Sequence, residues 1–146
     1  MRIPHRALVY EIRDGAGGLD MVVLPIEGLG LWGTLYGFVV LEGDLRTIRG
    51  LTFYEHKETP GLGGEVDNPR WKALWTGRMA FDDDLMPVIA VVKGTAGSVS
   101  DAPYSVDGLS GATITSRGVT NLLRFWLGSD GFGPYLTRLR RAGGTV

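Results

Sequence analysis

The sequence predicts an α+β domain in which a few short helices pack on a mainly antiparallel sheet. Segments rich in β-branched and aliphatic residues come first and fall into two pairs, each joined by a short turn. Helical patterns follow in the second half of the chain. A length of 146 residues fits one domain with one core, so we expect a single domain over residues 1–146.

The predicted strands form two hairpins and one isolated strand. Residues 7–12 and 19–25 flank the turn sequence RDGAGG, and residues 35–41 and 47–54 flank the sequence EGD. Residues 88–92 are an apolar run rich in valine between a proline and a glycine. Such a run is typical of a buried strand.

Three helices are predicted. The first spans residues 67–75, where Asp and Asn supply capping groups and a proline occupies the first turn. The second ends at Gly128, and its apolar residues recur at the i, i+3, i+4, i+7 spacing of a stripe that faces a core. These residues are Val119, Leu122, Leu123 and Trp126. A last short helix is predicted over residues 134–141.

Composition excludes several classes of protein. A net charge of −1 argues against broad attraction to nucleic acid or to anionic membranes. The absence of cysteine excludes disulfides and thiolate chemistry, and two histidines are too few for a multi-histidine metal site. The longest apolar run, residues 31–41, is too short for a membrane span. The charge runs at residues 82–84 and at Arg138, Arg140 and Arg141 are expected to be solvated.

The sequence GLGLWG at residues 28–33 matches the glycine pattern of dinucleotide-binding sites. That pattern needs a helix directly after it, because the helix N-terminus holds the pyrophosphate. The following residues, TLYGFVVLE, predict a strand instead. We therefore expect a glycine-rich entry into a strand, with Trp32 on the core or near a ligand.

The sequence DGLSGATITS at residues 107–116 places four hydroxyl side chains before the second predicted helix. It misses the G-x-S-x-G elbow of hydrolases, no histidine follows Ser110, and the chain contains no Walker A lysine motif. A turn of small residues at a helix start remains. An ordinary Ser/Thr cap and a phosphate site are equal alternatives at this point.

Two further features can be interpreted as structural or as functional. ETPGLGG at residues 58–64 is either a tight surface loop or a loop whose amides face a ligand, and the nearby His56 is expected to be structural. Lys93 follows the predicted fifth strand. Its ammonium group either reaches solvent or stabilises negative charge on an electron-accepting ring at the mouth of a cleft.

Residues 107–113, DGLSGAT, match the complete D-G-x-S/T-G-A-T signature of the FMN-binding domain family, which this sequence therefore resembles. The stretches PIEGLGLWGTLYGFVVLE, LTFYEH, KETPGLGGEVDNPRW and VDGLSGATITSRGV are similar to the C subunits of sodium-translocating NADH:quinone reductases. The related G subunit of Rnf electron-transport complexes matches the first stretch less well. The resemblance extends from about Ala7 to Leu139.

The resemblance implies FMN bound covalently through a phosphoester to Thr113. It also implies that a flavin transferase, which uses FAD and magnesium, recognises the signature. Further residues are expected to lie beside the isoalloxazine ring of the flavin. The signature residues are Asp107, Gly108, Ser110, Gly111 and Ala112. The residues expected beside the ring are Thr59, Gly61, Leu62 and Lys93.

The function implied is single-electron transfer from an iron–sulfur centre to the next flavin in a membrane reductase, with no catalytic residue or metal ligand of the domain's own. Expected partners are the other subunits and, during maturation, the flavin transferase. The resemblance implies that the domain lies on the periplasmic side of the bacterial inner membrane. Residues 1–146 are expected to form a soluble, monomeric part that lacks the family's N-terminal anchor. An Rnf-type subunit and a flavin-free binding or assembly domain are the alternatives.

Overall fold

Four antiparallel strands in consecutive order form the main sheet. A computed structural model describes residues 8–143. The strands are β1 (Tyr10–Arg13), β2 (Leu19–Leu29), β3 (Thr34–Glu42) and β4 (Ile48–Glu55), and each pairs with its neighbours in the chain. Both predicted hairpins and the α+β fold class are confirmed.

The first hairpin differs from its prediction at both outer ends. β1 begins at Tyr10, and Ala7 lies outside the described residues. β2 continues through Pro25 to Leu29 and pairs with β3 from Met21 to Leu29. Within residues 8–143, β1 pairs with β2 only as far as Val23, so the rest of β2 has a described strand neighbour on one side alone. A proline, which has no N–H to donate, is tolerated in such an edge position.

The core lies between the sheet and the helix α2 (Thr113–Leu127). Alternate residues of β2 and β3 are buried on the face towards α2, and the predicted apolar stripe of α2 is buried against them. The Trp126 indole N–H donates to the Glu27 carbonyl over 2.7 Å, which ties α2 to β2. The four predicted stripe residues are at most 3% exposed, so this helix prediction is confirmed. No helix within residues 8–143 is long and apolar enough to span a membrane.

Two shorter α-helices and one 3-10 helix complete the packing. A 3-10 helix (Gly63–Asp67) precedes α1 (Pro69–Ala73), and the Asn68 side chain caps α1 by accepting from the Arg70 amide over 2.9 Å. The helix predicted over residues 67–75 is thus present at that position, but α1 is shorter than predicted. The predicted last helix is confirmed as α3 (Gly133–Ala142).

The predicted strand over residues 88–92 is shortened to β5 (Ala90–Val91), which pairs in parallel with the equally short β6 (Ser105–Val106). On the side of β5 that does not pair with β6, side chains of α2 supply the hydrogen-bond partners that a strand would otherwise provide. The Val91 amide donates to the Thr120 hydroxyl over 2.8 Å, and the Arg124 guanidinium donates to carbonyls 88 and 89. A buried segment held in this way needs no ladder on that side.

The expectation that the arginines near the C-terminus are solvated is wrong for Arg140. Arg138 and Arg141 are exposed, but Arg140 is buried, donates to the Leu45 carbonyl over 2.9 Å and lies over the Phe81 ring at 4.9 Å. Burial lowers the pKa of the Arg140 guanidinium. Its carbonyl and aromatic partners explain how a cation is accommodated there.

Gly37 of β3 permits close packing against β4, because a Cβ there would lie 2.1 Å from the Thr52 carbonyl oxygen. We expect Gly37→Ala to lower the free energy of unfolding by about 1–3 kcal/mol through overpacking. Gly50→Ala is the matched control in the neighbouring strand, since nothing lies within 4 Å of a Cβ at that position. Urea unfolding of both variants checks this, and equal stabilities would contradict the packing described.

Candidate functional site

A cleft of about 620 Å³ lies between the loop that follows β5 and the start of α2. Most of the predicted signature residues line it. The lining comprises residues 91–95, residues 107–111, Thr113, Ser116 and Arg117. The fold thus brings Lys93 and the signature into one place although 20 residues separate Lys93 from Thr113.

Thr113 is the first residue of α2, and its side chain is exposed. The helix cap is Ala112, which has no hydrogen-bonding side chain, so no hydroxyl of the motif caps this helix. The interpretation of the motif as an ordinary Ser/Thr cap is therefore wrong. Among residues 8–143, the Thr113 hydroxyl forms no hydrogen bond. The first amides of α2 also receive no side-chain acceptor from the cap.

Other hydroxyls of the motif hold the turn in place. The buried Ser116 hydroxyl accepts from the Leu109 amide over 3.1 Å and donates to the Ala112 carbonyl over 3.0 Å. Gly111 has a φ of +68°, a left-handed conformation that favours glycine. A Cβ on Gly111 would also lie 3.0 Å from Leu62. These contacts fix the conformation of the turn, which places Ser110 and Thr113 at the surface.

Asp107 and Gly108 position the opposite wall of the cleft. The Asp107 carboxylate accepts from the Ala96 amide over 2.8 Å, and its carbonyl accepts from the Trp71 indole over 2.9 Å. A Cβ on Gly108 would lie 2.3 Å from the Val92 carbonyl oxygen. Both residues thus keep the signature against β5 and the loop after it.

Glu58 joins three segments around the start of α2. Glu58 is 5% exposed, and its carboxylate accepts from the Leu31 amide (2.7 Å), the Trp32 amide (2.9 Å) and the Thr115 hydroxyl (2.7 Å). A Cβ on Gly63 would lie 2.5 Å from the Thr115 hydroxyl oxygen. Sequence reasoning missed Glu58 as a site residue, although it opens the ETPGLGG motif.

The pKa of Glu58 is set by two opposing effects. Burial raises it, but the hydrogen bonds from Thr115, Leu31 and Trp32 outweigh burial and hold the pKa below the usual 4.5. The carboxylate is therefore ionised at neutral pH. Three donors to one buried charge make this junction stabilising.

The remaining residues of the ETPGLGG loop lie at the edge of the cleft or outside it. Leu62 contacts the site at Gly111, whereas Thr59 and Gly61 are not part of the cleft lining. The Thr59 hydroxyl oxygen lies 3.1 Å from the Trp32 indole nitrogen, which donates to it. Trp32 is 65% exposed, so it does not pack on the core.

The structural interpretation of His56 agrees with its contacts. Its Nε2 lies 2.5 Å from the Asp67 carboxylate, and its Nδ1 accepts from the Glu58 amide over 3.1 Å. Both ring nitrogens are therefore used to hold the loop. No group of three or more His, Asp or Glu residues that could hold a metal ion occurs within residues 8–143.

The GLGLWG motif forms a tight turn rather than a phosphate-binding helix start. The Gly30 amide donates to the Gly33 carbonyl over 2.8 Å, and β3 begins at Thr34. The predicted glycine-rich entry into a strand is confirmed. Because no helix follows Gly33, the motif does not have the geometry of a dinucleotide site.

Arg117 is a second cation in the cleft that sequence reasoning missed. It follows Thr113 by four residues on α2, so the two side chains share a face of the helix. Arg117 is exposed, as is Lys93 on the opposite wall. The i, i+4 spacing from Thr113 was the available signal.

An exposed threonine at an uncapped helix start, in a cleft with two cations, is the arrangement expected of a phosphate-anchored cofactor site. The model of the FMN-binding domain family matches residues 30–128, which include the cleft, and the chain belongs to this family. The predicted domain limits of residues 1 and 146 lie beyond that match and stay a prediction.

Within the family, the chain is similar to the C subunits (NqrC) of Na(+)-translocating NADH-quinone reductases. The one from Pseudomonas aeruginosa is 56% identical over 126 residues, which cover 86% of this chain and 48% of that protein. The one from Yersinia pestis is 51% identical over 132 residues, covering 90% and 49% respectively. The chain thus spans about half the length of these relatives.

Solved structures give the same result. The crystal structure of NqrC from Shewanella oneidensis superposes with a TM-score of 0.85 at 42% identity, over 92% of this chain and 61% of that chain. The corresponding protein from Parabacteroides distasonis gives a TM-score of 0.71 at 36% identity, over 84% and 59%. The resemblance inferred from the motifs is confirmed.

The lowered pKa of Glu58 gives its stabilising effect a defined pH dependence. The ionised carboxylate stabilises the fold above about pH 4.5, and this contribution is lost as the pH falls through the lower folded-state pKa. We expect Glu58→Gln to cost about 2 kcal/mol of unfolding free energy at pH 7, because a neutral amide replaces a charged acceptor. The difference from the parent should narrow in acid.

Glu55→Gln supplies the control, because Glu55 is exposed on β4 and should change stability by less than about 0.5 kcal/mol. Urea unfolding between pH 3 and pH 7 provides the measurement. A stability difference for Glu58→Gln that stays constant over this range would show that charge at Glu58 does not hold the junction.

Proposed function

We propose that this domain carries FMN attached through its phosphate to Thr113 and relays single electrons within a sodium-translocating NADH:quinone reductase. The observation that carries the proposal is the exposed Thr113 hydroxyl, which forms no hydrogen bond within residues 8–143 and ends a complete flavinylation signature. Membership of the FMN-binding domain family supports the choice of cofactor.

The residues around Thr113 fit a phosphate group. The first amides of α2 carry partial positive charge and have no side-chain cap to satisfy them. Lys93 and Arg117 add two cationic side chains on opposite sides of the cleft. A phosphodiester at Thr113 would therefore find amide donors and compensating charge.

Attachment requires only an accessible hydroxyl from this chain. The Thr113 oxygen forms a bond to the phosphorus next to riboflavin as the diphosphate bond of FAD breaks, so AMP leaves and the hydroxyl proton is released. A separate flavin transferase with magnesium supplies the catalysis. Gly111 and Ala112, which precede Thr113, are small enough to let a bulky donor approach.

FMN, once bound, supplies the ability to accept and release electrons one at a time. The chain's part is to hold the ring and adjust its charge environment. Leu62 offers an exposed apolar side chain at the rim, and Lys93 offers a cation that would stabilise negative charge. Thr59 and Gly61 would join them only if the ring extends beyond the cleft towards Trp32.

The wider assignment follows from the relatives. They are named as subunits of a sodium-translocating reductase, so the other subunits are the proposed electron partners. We place the domain on the periplasmic side of the inner membrane, attached there by polypeptide outside residues 1–146. The domain by itself is proposed to be monomeric.

The covalent anchor is tested by co-expression with a flavin transferase. We expect the intact mass to rise by one FMN less one water, and the denatured protein to fluoresce, because the linkage survives unfolding. Thr113→Ala should abolish both signals. Thr95→Ala is the matched control, since it removes another hydroxyl of the same cleft that lies outside the signature.

Two results would contradict the anchor. One is Thr113→Ala protein that keeps a covalent flavin. The other is parent protein that gains no flavin despite active transferase and FAD, which would favour the flavin-free binding or assembly domain.

The role of Lys93 is tested by its effect on the flavin. We expect Lys93→Gln to lower the reduction potential, because a cation near the ring favours the electron-rich state. Lys72→Gln removes a lysine of α1 that is not in the cleft lining and should leave the potential nearly unchanged. Redox titration followed by absorbance checks both variants, and equal potentials would remove Lys93 from the ring's environment.

A further inference from the structure

Another cleft lies at the opposite end of α2 from Thr113. It has a volume of about 630 Å³, which is within the range of small-molecule sites. The turn that follows Phe81, the end of α2 and one side of α3 enclose it. Its lining includes Arg138, Arg140 and Arg141, so it is here called the arginine cleft. Among the described residues, no acidic side chain is part of this lining.

Arg140 is buried in the wall of the arginine cleft with part of its hydrogen-bonding capacity unused. Its Nη2 donates to the Leu45 carbonyl over 2.9 Å, but its Nε is buried and has no hydrogen-bond partner in the described part of the chain. Within residues 8–143, none of the three arginines forms an ion pair. A buried donor without a partner is rare in folded proteins. An oxyanion in the cleft would supply the charge and the acceptors that the Arg140 guanidinium lacks.

Three carboxylates close to the arginine cleft are engaged elsewhere. Asp83 pairs with Arg46 over 2.7 Å, and the Asp82 carboxylate accepts from two amides of its own turn. The Asp44 carboxylate accepts from two amides and a hydroxyl of the turn between β3 and β4. The cleft therefore has a cationic lining that these carboxylates do not pair with.

The rest of the arginine cleft is largely apolar. Phe81 and Leu127 line it from the core, and Leu85 and Met86 are 37% and 58% exposed where they line it. The φ of Leu85 is +61°, a left-handed conformation that is uncommon for a residue with a side chain. Residues held in such conformations cluster at ligand sites. The turn thus presents two apolar side chains beside the three cations.

We propose that the arginine cleft binds a small amphiphile that consists of a phosphate head group and an apolar body. Several guanidinium groups around one cleft favour phosphate over a single carboxylate, because its oxygens can accept from more than one planar fork. The apolar body would contact Leu85 and Met86. The site lies apart from Thr113, and the proposal does not depend on the flavin.

Titrations of the 146-residue chain followed by nuclear magnetic resonance test this proposal. The amide signals of Gly133 and Thr137 report binding in the arginine cleft, and those around Thr113 report the flavin cleft separately. We expect octyl phosphate, below its micelle concentration, to shift the first set of signals saturably. Inorganic phosphate and octyl glucoside supply the head group or the chain alone, and each should bind about tenfold more weakly.

A short-chain phospholipid, dihexanoylphosphatidylglycerol, distinguishes the two sources of such a head group. Tighter binding of this lipid than of octyl phosphate would assign the cleft to a phospholipid, and the reverse would assign it to a phosphate monoester. Inorganic phosphate or octyl glucoside that binds as tightly as octyl phosphate would overturn the proposal. Shifts confined to the signals around Thr113 would also overturn it.

Substitution of the two exposed arginines tests the same site without disturbing the core. The double variant Arg138→Gln, Arg141→Gln should bind octyl phosphate about tenfold more weakly, with little change in melting temperature. Arg70→Gln is the control, because Arg70 is an exposed arginine of α1 outside the cleft. Unchanged affinity in the double variant, or an equal loss in Arg70→Gln, would contradict a site built by these arginines.

Discussion

The arrangement of the site depends on the carboxylate of Glu58. By accepting from Leu31, Trp32 and Thr115, it joins the β2–β3 turn, the ETPGLGG loop and the first turn of α2. Glycines make the junction possible, because a Cβ on Gly30 would lie 2.2 Å from the Glu58 carboxylate. Loss of the carboxylate would leave two partly buried amides and a buried hydroxyl without their acceptor, which is more costly than loss of an exposed ion pair.

This junction explains how four neighbouring hydroxyls acquire different roles. Thr115 is engaged by Glu58, and Ser116 is engaged by the turn that precedes α2. Both are buried, so neither can meet a large donor molecule. Ser110 and Thr113 remain at the surface of the cleft, and only Thr113 belongs to the helix whose first amides can receive a phosphate. The fold therefore favours Thr113 by geometry as well as by motif.

Local patterns predicted the elements whose burial alternates or repeats regularly. The strands of the main sheet and the apolar stripe of α2 were predicted in this way. The fifth strand was predicted too long because the hydroxyl of Thr120 and the guanidinium of Arg124 provide its hydrogen bonds, and such contacts across the fold leave no periodic signal. β6 has only two residues and so lacks a pattern altogether.

The site was predictable only in part. The signature and Lys93 were recognised, and the structure places them in one cleft, but their roles towards FMN stay predictions. Glu58 and Arg140 could not be assigned from sequence, because a charged residue is normally expected at the surface and their buried partners are distant in the chain.

Of the four hydroxyls in the motif, that of Thr113 is the proposed anchor of the flavin. Fragmentation mass spectrometry of the flavinylated parent chain tests it most directly, because backbone cleavage on either side of each hydroxyl residue locates the added mass. We expect the FMN mass to appear in every fragment that includes Thr113 and in no fragment that lacks it. Added mass on Ser110 or Thr115 would rule out Thr113 as the anchor.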